Sequence, residues 1–141
     1  MTIAYDKFAA EIENALEKNG IWVLSTSEND YVTSRPMSVI HIGLAVYFQS
    51  NSCYVKHGQM QKNPHVALCA QNVSIEGTVE ILGGWNTPGL EAAHALYQEK
   101  HAGSYERYGM LEGQHVYKVT PNKVKLWKYV DGTPVREVLH V

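Results

Sequence analysis

Arg35 and Lys56, with the hydroxyls of Ser34, Ser38, Ser50 and Ser52, are the side chains of this 141-residue sequence best suited to hold an anion. A guanidinium presents a planar fork matched to phosphate oxygens, and an ammonium adds a mobile point charge. Hydroxyls and strand-end amides supply further donors. Spacing alone does not separate such a set from the charges that a sheet edge carries for solubility. Other chemistries lack their signatures: no GxSxG nucleophile elbow, no HExxH, no GxxxxGK[ST] and no GxGxxG occurs. The seven histidines show no close pairing and no Cys-His spacing of a zinc site, so no metal is expected. An anion, if bound, is therefore held by side chains rather than by a glycine loop at a helix start.

The distribution of charge gives these residues a setting. Between Asp30 and Glu76 lie 45 residues without a carboxylate, where Arg35, Lys56 and Lys62 give a charge of +3. All 14 acids and the other nine bases lie outside it, which leaves the remainder at −5. A local positive field in a mildly acidic chain suits a small anionic ligand better than a polyanion. Buried strands that exclude carboxylates would produce the same pattern. The net charge of −2 and pI near 6.4 argue against a nucleic-acid binder or a coat for an anionic membrane. The longest nearly apolar run, Val39 to Phe48, is half of what a spanning helix needs, at ~20 residues, so no membrane association is expected. The N-terminus lacks the basic start and apolar run of a signal peptide, and the expectation is a cytoplasmic protein. Cys53 and Cys69 form no CxxC pair and sit among apolar residues, which predicts two reduced core thiols.

These residues must be positioned by a single domain over residues 1–141 that is mainly β. Phe8, Ile12, Ala15 and Leu16 recur at helical spacing, predicting a helix over residues 3–18 with Thr2 as its cap and Asn19-Gly20 as its stop. Ile21 to Thr26 and Tyr31 to Arg35 read as a hairpin, and Val39–Ile42 and Leu44–Gln49 as extended segments around Gly43. A short helix or turn fits Lys56 to Pro64, and strands follow at His65–Ala70 and Val73–Leu82. In the second of these strands Ile75, Gly77, Val79 and Ile81 share a face. Thr87-Pro88 reads as the cap and first residue of a helix with Leu90, Ala93, Leu96 and Tyr97 as its apolar stripe. Val116–Val119 and Val124–Val130 read as a strand pair around Pro121-Asn122, and Asp131-Gly132 as a turn before Val135–Val141. Without βαβ alternation, these elements predict an α+β fold, an antiparallel split β-barrel with peripheral helices.

The order of motifs resembles the pyridoxamine 5′-phosphate oxidase-like flavoproteins. The resemblance is carried by Arg35-Pro36-Met37-Ser38, the strand Val46 to Ser50, Lys56, then Asn63-Pro64-His65-Val66-Ala67-Leu68, and Gly77-Thr78-Val79-Glu80. Lys125-Leu126-Trp127 with Arg136 is similar to the family's closing strand. The resemblance implies an FMN-binding homodimer with two equivalent interfacial clefts. Apolar residues such as Trp22, Leu44 and Val46 cannot all be buried in a small barrel, and those left outward are expected to supply the interface core. By position, Arg35 and Lys56 contact the FMN phosphate, and the backbone of Pro36, Met37 and Ser38 lies beside the flavin ring. Gln49 and Ser50 match a polar pair, Asn72 a polar flavin contact, and Trp127 an aromatic from the partner subunit. Val55 replaces a frequent Arg, and Ile40 stands where the dedicated vitamin B6 enzymes carry Lys, which argues against pyridoxamine phosphate as substrate. The chain resembles more the short bacterial branch of general stress proteins and flavin oxidoreductases.

That reading implies an FMN-dependent oxidoreductase acting on a small molecule, with NADH or NADPH as an electron donor. His41, His57 and Tyr47 are available as an acid or base, and none is assigned. A non-enzymatic flavin carrier is the second reading. A haem-binding split barrel with His57 or His140 as axial ligand is the third.

Overall fold

The computed structural model describes residues 5–141. Helix α1 (Tyr5–Lys18) leads into the hairpin β1 (Ile21–Glu28) and β2 (Tyr31–Ser38), then β3 (Ile40–Ile42) and β4 (Ala45–Asn51). Helix α2 (Val55–Lys62) precedes β5 (His65–Ala70) and β6 (Val73–Ile81). Helices α3 (Glu91–Lys100) and α4 (Ala102–Tyr108) then lead to β7 (Gln114–Val130) and β8 (Thr133–His140). All eight strands form one antiparallel sheet in the order β2-β1-β5-β6-β7-β4-β3, with β8 paired to β7. The predicted split barrel with peripheral helices is the fold observed. Among the described residues no helix is long and apolar enough to cross a membrane.

The core explains the closure. Phe8, Ile12 and Leu16 of α1 are fully buried against Trp22, Leu24, Phe48, Leu68, Ile75 and Val124 from the concave face of the sheet. Each such side chain contributes about 1.5–3 kcal/mol of burial. On the other side of β4, α3 covers Ile40, Tyr47 and Val116 with Trp85, Leu90, Ala93 and Tyr97. The sheet remains split because its two ends, β2 and the β3–β4 pair, are not hydrogen-bonded to each other. Beyond the short β3, which pairs only with Ala45–Tyr47, the end of β4 keeps one free backbone edge facing β2.

Several expectations are corrected. Strand β7 is one element of 17 residues rather than a pair. Its first part pairs with β4 and its last part with β8, while β6 runs along the middle. A bulge absorbs Asn122, since Glu76 pairs with Lys123 and Gly77 with Pro121, and the strand continues through a site where the sequence suggests a turn. Helix α3 starts at Glu91, so Thr87-Pro88 does not open it. The Thr87 hydroxyl instead donates to the Gly84 carbonyl in the preceding turn. Leu96 is exposed, outside the buried stripe of Leu90, Ala93 and Tyr97. Both cysteines are exposed: Cys53 lies in the loop before α2, and Cys69 points outward from β5 between buried Leu68 and the turn. Thr2 lies outside the described residues.

Candidate functional site

A cleft of about 420 Å³ opens at the split of the barrel. One wall is formed by Pro36, Met37 and Ser38 on β2, and another by Gln49, Ser50 and Asn51 at the end of β4. Cys53, Tyr54 and Lys56 form its floor, and Tyr97, Ser104, Tyr108, Leu111 and Gln114 cover it from the α3–α4 side. The two walls are sheet edges with backbone groups left over from pairing, a source of donors and acceptors that side chains need not supply. The size lies within the roughly 300–1,000 Å³ of small-molecule sites.

Charge is concentrated at one end. Arg35 sits on β2 opposite the buried Leu24 and next to Pro36, which lines the cleft. Its guanidinium donates to the Leu24 carbonyl at 3.2 Å, to Thr26 Oγ1 at 2.9 Å and to Thr33 Oγ1. Lys56, in the first turn of α2, places its ammonium 4.5 Å from the centre of the Tyr54 ring. Neither cation takes part in an ion pair; those among the described residues join other groups. Burial lowers the pKa of Lys56, and the positive charge of Arg35 lowers it further. Burial also lowers that of Arg35. Two half-buried cations that disfavour one another and have no carboxylate partner are stabilised by an anion. Tyr54, the N-cap of α2, makes no side-chain cap hydrogen bond to the first turn of the helix.

Local sequence holds these parts in place. Asn63, the first residue of the Asn-Pro motif, donates from Nδ2 to Ser27 Oγ at 3.1 Å and accepts from the His65 amide at 3.1 Å, tying the end of α2 to β1 and β5. Pro64 stops the helix, and its carbonyl accepts from the Val79 amide. Val66 and Leu68 of the same motif are core residues. The buried His57 bonds through Nδ1 to the Tyr117 hydroxyl at 2.6 Å and anchors α2 to β7. Burial and the neighbouring His115 push the His57 pKa down. At the opposite wall the Gln49 amide is locked: Oε1 accepts from Trp85 Nε1 at 2.8 Å, and Nε2 reaches Ser104 Oγ at 3.4 Å.

Of the nine residues picked out in the sequence, six line this cleft: Pro36, Met37, Ser38, Gln49, Ser50 and Lys56. Arg35 precedes Pro36 on β2 but is not among the residues that line the cleft. Asn72 and Trp127 do not reach it within the chain. They stand together in a second cleft of about 380 Å³ with Cys69, Lys125 and Arg136, where Asn72 Nδ2 donates to the Trp127 carbonyl at 2.6 Å. None of His41, His57, Tyr47 or His140 lines the first cleft. His41 contacts Glu17 at 2.9 Å, Tyr47 is in the α3 cluster, and His140 borders a separate groove. The wall formed by Tyr97, Ser104, Tyr108 and Leu111 has no counterpart in the sequence reading. Tyr97 carries a helical stripe, but α4 is a seven-residue helix containing Gly103, too short and too weak in propensity to be seen.

A family model described as pyridoxamine 5′-phosphate oxidase matches residues 8–128. Among curated proteins none matches the sequence. General stress protein 26 from Bacillus anthracis strain Sterne has a TM-score of 0.66 at 19% identity, covering 92% of this chain and 98% of that one. A FAD-binding protein from Mesorhizobium loti has 0.68 at 16%, covering 82% and 89%. A heme-binding protein from Mycobacterium smegmatis has 0.72 at 16%, covering 99% of this chain and 60% of that one. At these identities the likeness is one of fold.

Proposed function

Because the chain belongs to the pyridoxamine 5′-phosphate oxidase family, we propose that it is a flavoprotein that holds FMN in the cleft between β2 and β4 and serves as an oxidoreductase for a small molecule. The observation that carries this reading is the pair Arg35 and Lys56, close, half-buried and without a carboxylate partner. Such a pair fits the phosphate of FMN. The edge backbone of Pro36 to Ser38 and the locked Gln49 amide fit the polar rim of a planar heteroaromatic ring, with Ser50 beside it. Asn72 and Trp127 complete the site from a second copy of the chain. Bound there, the flavin supplies hydride or single-electron transfer, while the protein contributes orientation and a lining free of carboxylates. The absence of carboxylates does not disfavour the negative charge that the ring gains on reduction.

The absorbance spectrum of the purified protein, with mass spectrometry of the released ligand, tests the cofactor. Flavin bands and the mass of FMN are expected; a Soret band would move the assignment to haem, the ligand named for the Mycobacterium smegmatis relative. Replacing Arg35 or Lys56 with alanine is expected to weaken FMN by about 1.5–3 kcal/mol and leave riboflavin nearly unchanged. Equal losses for both ligands would refute the phosphate assignment. Reduction by NADH or NADPH with turnover of a quinone or nitroaromatic acceptor is expected of an enzyme. Reduction by dithionite alone would indicate a carrier.

A further inference from the structure

Gln59 follows Lys56 by three positions on α2, is buried, and does not line the cleft. Its Nε2 donates to the Tyr31 carbonyl at 3.3 Å, and because that oxygen only accepts, the contact fixes which end of the amide is which. Oε1 therefore faces the hydroxyls of Thr26 and Thr33, at 2.6 and 2.7 Å. A carbonyl oxygen cannot donate, so both hydroxyl protons point at Gln59. The hydroxyl oxygens, 3.2 Å apart, share that one acceptor. Each hydroxyl has a single proton, so only lone pairs are left toward Arg35, whose guanidinium donates to both. With the Leu24 carbonyl, Arg35 is gripped by three uncharged acceptors and keeps its full charge.

We propose that Gln59 is a positioning residue that spares the charge of Arg35. By turning the Thr26 and Thr33 hydroxyls into acceptors, it holds the guanidinium beside Lys56 without neutralising it, and so sets the preference of the cleft for a ligand carrying a phosphate monoester. The inference rests on the FMN reading above. A glutamate would accept from the same two hydroxyls, but it would lose the bond to the Tyr31 carbonyl, and its charge would lie one hydroxyl away from the guanidinium and offset it. Thr33, Arg35, Lys56 and Gln59 all fall within the 45 residues that contain no carboxylate, and at this position the amide is the form that leaves the anion site positive.

The test is the ratio of riboflavin to FMN dissociation constants, measured by flavin fluorescence quenching on the full chain freed of cofactor. Wild type is expected to favour FMN by on the order of 100-fold, and Gln59→Glu to lower that preference by about tenfold or more with riboflavin affinity unchanged. Unchanged riboflavin binding shows that the cleft is intact. Thr33→Val, which removes one acceptor from Arg35, is expected to lower the preference by about threefold, and it decides the matter if Gln59→Glu fails to fold. A wild-type preference for FMN that both variants retain, or that Thr33→Val retains where Gln59→Glu does not fold, overturns the role of Gln59 and leaves the anion site standing. A wild type that binds FMN and riboflavin equally overturns the anion site and Gln59 with it.

Discussion

Lys56 carries its charge against opposition, since burial first and Arg35 second hold its pKa below the ordinary lysine value. An anion placed between the two cations removes that opposition, so FMN binds the protonated form better. Affinity for FMN should therefore be level above the second ionisation of its phosphate, at roughly pH 6, and fall as pH rises through the depressed pKa of Lys56, earlier on the pH scale than for an exposed lysine. Lys56→Arg keeps its charge throughout and should hold FMN affinity to higher pH, while riboflavin, titrated in parallel, corrects for ionisation of the ring. An FMN-to-riboflavin ratio that does not change with pH in wild type would contradict the assignment. Without ligand the sign reverses: between the folded and the ordinary lysine value the unfolded chain binds more protons, so stability rises with pH there. Cys53, which lines the cleft with Lys56, acts the other way and favours the charged ammonium.

Strand β7 is the element on which the architecture turns. It hands one of its edges from β4 to β8 at Pro121-Asn122, where Pro121 has no amide proton for a ladder. Gly77 on β6 is what lets it pass: a Cβ there would lie 2.6 Å from the Thr120 carbonyl oxygen and 2.9 Å from a Val119 methyl group. The obstructing atom is backbone, so no rotamer change relieves it. Gly77→Ala is expected to cost about 1–3 kcal/mol or more, by the usual penalty for overpacking, and chemical denaturation measures it directly. An undiminished midpoint would mean that β7 can shift at the bulge. The glycine was visible in the sequence as part of an alternating strand, but its reason was not, because a bulge is defined by the partner strand. The same distinction runs through the site. Hairpins, α1, α2 and the Asn-Pro stop follow from period, turn residues and proline, all local signals. Trp22 and Val46 would be natural candidates for an outward face from composition, yet strand alternation buries both completely. Arg35, Gln49 and Ser50 were legible as polar residues at strand ends, and Lys56 as the start of a short helix or turn. The cover from α4 and the grip of Gln59 on two threonines 33 and 26 positions away were not, since neither leaves a periodic trace.

At the scale of the whole molecule, the two clefts lie at opposite ends of an exposed apolar strip. Ile21 and Val23 point outward from β1, with Val23 directly opposite Pro36 on one side and Cys69 on the other. Pro36 also lines the Arg35–Lys56 cleft, and Cys69 the Asn72–Trp127 cleft. A second copy laid on this strip by a two-fold operation meets the first with the same surface, and each copy's Trp127 end then approaches the other's Lys56 end. Of the residues expected to supply such an interface, Trp22 and Val46 are in the core and Leu44 is partly buried against it, so Ile21, Val23, Pro36 and Cys69 are the exposed residues of the strip that a second copy would meet. If FMN needs both ends, binding and dimerisation are linked, and FMN must tighten the dimer by the free energy that dimerisation adds to FMN binding. Val23→Glu, which puts an unpaired charge on the strip, should give a monomer in sedimentation and lower FMN affinity by about tenfold or more. Complementation separates a shared site from two independent ones. In a shared site, Arg35→Ala and Trp127→Ala proteins are each expected to bind FMN weakly at both sites of their own dimers. Mixed and allowed to exchange, they form heterodimers in which one site carries both defects and the other carries none, so roughly a quarter of all sites should recover wild-type affinity. Recovery absent from a mixture shown by sedimentation or mass spectrometry to contain heterodimers would place Arg35 and Trp127 in the same site of one chain or in no common site. A stable monomer binding one FMN at full affinity would lead to the same conclusion.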